Sequence, residues 1–118
     1  MRMTRFAAAA LLLIALHGLA LAAELPLSLV NLSSPVARST DATIQVKTAP
    51  GATCAITVFY KSVASKAKGL DSKLADRSGL VEWRWRVGYN TTPGKWPIVM
   101  TCEQAGSRGE LTTLLEVR

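Results

Sequence analysis

A chain of 118 residues with a formal charge of +6 and two cysteines has room for one domain and no more. A domain this short buries a thin core, so a covalent staple matters to it. The basic excess is mild; it fits weak attraction to anionic surfaces such as cell-wall polymers, lipid headgroups or nucleic acid.

Met1 to Arg5 carries two arginines and no acid. Phe6 to Leu21 is apolar apart from His17 and Gly18, and Ala20-Leu21-Ala22 puts small residues at the −3 and −1 positions of a cleavage site. These are the three parts of a secretory signal, and residues 1–22 are read as one. The alternative is a membrane anchor, but an Ala-rich apolar run of 16 residues falls short of the ~20 that span a bilayer. The Ala-rich signal suggests a bacterial chain. Removal of 1–22 takes Arg2 and Arg5 with it and leaves residues 23–118 with a formal charge of +4. It also takes His17, the only histidine.

After position 22 no stretch keeps a helical period for three turns, whereas several keep a period of two. Leu25-Pro26-Leu27-Ser28-Leu29-Val30 alternates weakly, with a proline near its start as an edge strand tolerates. Thr43 to Lys47 alternates cleanly. Ala49-Pro50-Gly51-Ala52 is a turn, with Pro presetting φ and Gly free to take φ > 0. Cys54, Ile56, Val58 and Tyr60 then share one face, opposite Ala55, Thr57 and Phe59. Residues 62–79 are polar and rich in lysine, without apolar alternation; they are predicted to form a long loop in which Leu70 and Leu74 tuck one short turn or strand against the core. Val81, Trp83, Trp85 and Val87 share a face, with Glu82, Arg84 and Arg86 on the other. Thr91 to Gly94 is a turn, Trp96, Ile98, Met100 and Cys102 alternate inward, Gly106 and Gly109 bracket a hairpin turn, and Leu111 to Val117 is the last strand. Six or seven strands at short spacing predict an all-β antiparallel sandwich or barrel.

Cys54 and Cys102 both sit on faces assigned to the core, in a chain read as exported to an oxidising compartment. A disulfide is predicted; the alternative is two buried free thiols. Closing a loop of 48 residues stabilises a fold by roughly 4 kcal/mol in the chain-entropy model. Two sulfurs that far apart, with no histidine after position 22, do not make a zinc site, and no cofactor is expected. Without an imidazole, Ser-His-Asp and Cys-His catalysis are excluded. Ser65-Lys66-Ala67-Lys68 matches the Ser-x-x-Lys pattern of penicillin-interacting enzymes, but its companion motifs are absent and a solvated loop accounts for it. Two features bear on binding. Lys61, Lys66, Lys68, Lys73, Arg84 and Arg86 form a candidate patch for an anionic polymer, the alternative being a solubilising surface. Trp83, Trp85 and Trp96 are assigned to core packing rather than to sugar stacking.

The run Ala49-Pro50-Gly51-Ala52-Thr53-Cys54, followed by Ile56 to Ser62, Ser65 to Leu70, Trp83-Arg84-Trp85-Arg86-Val87-Gly88 and Thr91 to Ile98, resembles a bacterial immunoglobulin-like extracellular module over residues 40–105. The resemblance implies an immunoglobulin-like β-sandwich with one disulfide and no catalytic residues. It departs from antibody-type domains, where a tryptophan follows the first cysteine by a dozen or so residues; here Trp83 follows Cys54 by 29. The function implied is a non-enzymatic, secreted or surface-associated binding or structural module of the cell envelope. Its partner is expected to be a protein or an anionic envelope polymer. No specific nucleic acid is expected, and a membrane only if the signal stays uncleaved. The alternative is an accessory or inhibitor protein that acts on a secreted enzyme through the 62–79 loop.

Overall fold

The computed structural model describes residues 24–118; the signal assigned to 1–22, and His17 within it, lie outside them. Eight strands follow in order: β1 (Leu27–Leu32), β2 (Asp41–Thr48), β3 (Thr53–Tyr60), β4 (Val63–Ala64), β5 (Lys73–Leu74), β6 (Leu80–Arg86), β7 (Gly94–Gln104) and β8 (Ser107–Val117). They pair antiparallel into a three-stranded sheet, β1-β2-β6, and a five-stranded sheet, β4-β3-β7-β8, with β5 also on the edge of β3. The sheets pack face to face as a sandwich. Among the described residues no helix is long and apolar enough to cross a membrane.

The alternation seen in the sequence sets the core. Ala42, Ile44 and Val46 of β2 and Val81, Trp83 and Trp85 of β6 meet Cys54, Ile56 and Val58 of β3 and Ile98, Met100 and Cys102 of β7, every one of them buried. β6 is the plainest case, because each inward apolar residue is flanked by an exposed one. Both buried indoles find acceptors, as buried polar groups must. Trp83 Nε1 donates to the Asp71 carbonyl at 2.8 Å and Trp85 Nε1 to the Tyr60 hydroxyl at 3.1 Å. Trp96 is only half-buried. β1 departs from regular alternation because a bulge between Leu29 and Asn31 shifts its register against β2, and Val30 is left exposed.

Cys54 and Cys102 stand opposite each other in the β3–β7 ladder, with Cα atoms 4.1 Å apart, and form the disulfide. The bond therefore joins neighbouring strands of one sheet, not the two sheets as in antibody domains.

Two local expectations are corrected. The β7–β8 turn is Ala105-Gly106, both at positive φ (51° and 82°), which matches the right-handed twist of the strands it joins. Gly109 lies instead within β8 opposite Cys102, where a Cβ would collide with the Leu25 carbonyl. This close approach lets Leu25 donate to the Arg108 carbonyl at 3.1 Å. At the other end of β8, Val36 donates to Glu116 and Arg118 donates to Val36. The edge of β8 is thus covered at both ends, as exposed edges usually are.

The second correction concerns residues 62–79. The segment is a strap, not a free loop. It pairs with β3 as β4 just beyond the Lys61-Ser62 turn, and Ser65 donates to the Val58 carbonyl at 2.7 Å. It then crosses to β6, where Gly69 (φ 99°) lies so close to Arg84 that a Cβ would strike the Arg84 carbonyl. It returns to β3 as β5, opposite Thr53 and Cys54. Ala67 and Leu70 pack on the core and Ala75 is buried, whereas Leu74 stays 70% exposed. The strap ends in a turn built on Asp76. Its carboxylate accepts from the Leu80 N–H and from the N–H and hydroxyl of Ser78, and these donors hold its pKa below the ordinary carboxylate value.

Candidate functional site

Strand directions give the sandwich two poles. The connections 33–40, 61–62 and 87–93 gather at one, here called the loop pole. The turn 49–52, the Asp76 turn, the 105–106 hairpin and Glu24 gather at the other, the hairpin pole.

The charges divide between them. Taking the Ile44–Trp83 pair as the midline, the loop half carries Arg38, Lys61, Lys66, Lys68, Arg84, Arg86, Lys95 and Arg118 against Asp41 and Glu116. The hairpin half carries Lys47, Lys73, Arg77 and Arg108 against Glu24, Asp71, Asp76, Glu82, Glu103 and Glu110. Counted over the described residues, their formal charges are therefore +6 and −2. Of the six patch residues read from the sequence, the structure brings Lys61, Lys66, Lys68, Arg84 and Arg86 to the loop half. Lys73 sits toward the hairpin half, opposite Cys54, and its Nζ donates to the Glu82 carbonyl at 2.8 Å. All six are exposed. Arg84 and Arg86 share Asp41, at 3.2 and 3.8 Å, on a surface where such pairs contribute little. One carboxylate thus offsets two guanidiniums.

Sequence reading missed Arg38, Lys95 and Arg118, because they lie far from the lysine-rich segment in the chain. Only topology joins them: Val36 and Arg118 pair at the end of β8, and Ser39 and Thr40 bond to Val87 at 2.8 Å each.

It also missed Tyr89, 79% exposed. The turn that carries it lies earlier than the 91–94 turn predicted, since Thr91 donates to the Gly88 carbonyl at 3.2 Å and leaves Tyr89 and Asn90 at the tip. The loop is held at both ends. Val87 is buried and bonded to the 33–40 segment. Trp96 Nε1 donates to the Thr92 carbonyl at 2.8 Å, and its ring lies over Gly94 (φ 152°), where a Cβ would come within 3.0 Å of it. Trp96 is thus a clamp on the loop as well as a core residue. Tyr60, also near this pole, points inward, and burial pushes its phenol above the ordinary pKa against the lowering effect of the Trp85 bond.

The hairpin pole has two open depressions, one lined by Gly51, Thr53 and residues 103–108, the other by residues 24–27 and 108–110. Arg108 stands in both and is paired with Glu103 at 3.5 Å and Glu110 at 3.6 Å. The first depression brings the Thr53 and Ser107 hydroxyls near Glu103, whose carboxylate is engaged by Arg108. No group of three or more His, Cys, Asp or Glu side chains able to hold a metal ion occurs among the described residues. No protein-family model matches the chain, and no curated protein matches it either.

Proposed function

We propose that this chain is a non-enzymatic, extracytoplasmic, immunoglobulin-like module that binds an anionic polymer of the cell envelope through its loop pole. The observation that carries this reading is the division of charge, +6 on the loop half against −2 on the other. A solubilising surface needs no such polarity, whereas a face that meets a polyanion gains from concentrating positive charge. The disulfide and the secretory signal read in residues 1–22 support an oxidising location. The loop connections of a rigid sandwich are also a common place for binding residues.

The test is co-sedimentation or calorimetry with acidic polysaccharide, polyphosphate, anionic phospholipid vesicles and duplex DNA across a salt series. Binding of anionic polymer that weakens steeply with salt is expected. The triple variant Arg38→Glu/Lys61→Glu/Lys68→Glu should lose more than about tenfold in affinity. Lys47→Glu/Arg77→Glu, at the other pole, should change it by less than about twofold. Absence of salt-sensitive binding to every polymer, or equal losses in the two variants, overturns the reading.

The second reading, an accessory or inhibitor protein acting through residues 62–79, draws on Val63 and Leu74, which are exposed on the strap. The strap is tied down along its length, so it offers an enzyme a flat surface rather than an inserting finger.

A further inference from the structure

Tyr89 is the most exposed of the large apolar side chains, yet the loop beneath it is fixed by Val87, the Gly88–Thr91 turn and the Trp96 clamp. An aromatic ring presented on a loop already held in place loses little freedom on binding. The backbone that carries the ring also adjoins positions that carry cations. Ser39 and Thr40 bond to Val87, so Arg38 and Tyr89 leave adjoining segments close to the same pair of hydrogen bonds. Arg86 ends β6 immediately before Val87, and Lys95 is the second residue of β7. Charge alone does not call for the ring. A polyphosphate chain has no flat apolar face to lay on it; a pyranose ring has one, made of its axial C–H groups, and a uronate adds a carboxylate that suits a guanidinium fork.

We infer that the loop pole takes an acidic polysaccharide, with Tyr89 stacked on a uronate ring and Arg38 and Arg86 on the carboxylates. The inference rests on the loop pole being the binding end. The experiment measures affinity for polygalacturonate and for inorganic polyphosphate, at matched charge concentration, in the wild type, Tyr89→Ala and Tyr89→Trp. Tyr89→Ala is expected to weaken polygalacturonate binding about tenfold and polyphosphate binding less than about twofold, with Tyr89→Trp restoring the former. Thermal melts should coincide for all three proteins, since the ring is exposed. Equal losses on both polymers, or no loss on either, overturn the assignment of Tyr89 while the polyanion reading stands. Failure of the wild type to bind polygalacturonate overturns this inference, and the polyanion reading falls with it only if polyphosphate, anionic vesicles and DNA go unbound as well.

Discussion

Trp83 and Trp85 bury two indole N–H groups, and each finds its acceptor outside its own sheet: the Asp71 carbonyl on the strap, and the Tyr60 hydroxyl at the end of β3. A buried donor left without a partner costs about 1–3 kcal/mol. Tyr60→Phe should therefore lower the unfolding free energy by about that amount in urea titrations, with an unchanged slope. In a Trp85→Phe background the same change should cost far less. Equal losses in the two backgrounds would mean that the bond contributes nothing. Strand alternation made both tryptophans and Tyr60 legible as inward residues. It did not show which acceptor serves which indole, because that depends on how the two sheets are offset. Tyr89 gave no periodic signal at all: one aromatic beside a glycine in a turn is indistinguishable, in sequence, from a residue that only fills the turn.

At the level of elements, regular strands were legible and the strap was not. β6 announces itself because a single residue pattern repeats along one ladder. Residues 62–79 make their contacts one at a time and with different partners: a backbone bond to Val58, a glycine against Arg84, Leu70 on the core, then two residues of β5. Such contacts leave no period, and the exposed lysines between them look like a solvated loop. Gly69 is where the strap lies tightest on β6, since its φ of 99° and its contact with Arg84 both exclude a side chain. Gly69→Ala should lift the strap from β6 and expose the tryptophans beneath. Amide exchange should then speed up across residues 65–75 while β3 and β7 stay protected, and tryptophan emission should shift to the red. Unchanged protection of that segment would show that the strap is held by its other contacts alone.

For the molecule as a whole, the disulfide and the charge division are the two large features. The disulfide joins residues 48 apart, and the chain-entropy model gives it about 4 kcal/mol, comparable with the stability of a small domain. Cys54→Ala/Cys102→Ala should accordingly lower the melting temperature sharply and leave the domain close to unfolding at body temperature. A loss below about 1 kcal/mol would instead mean that the β3–β7 ladder already holds the two strands in register. The cysteines were legible as partners from the sequence; that they are neighbours within one sheet was not, because strand order is a property of the assembled fold. The polarity of charge was half legible, as a basic segment without its topological companions. Glu24 beside Arg108 and Arg118 beside Val36 have a practical corollary. Glu24 stands at the acidic pole, while Arg118 stands next to the basic one. Immobilised on a chip or bead at the position of Glu24, the molecule turns Tyr89 and the loop-pole cations toward bulk solvent; coupled through Arg118, it holds them against the support. The two orientations should report different affinities for the same polymer.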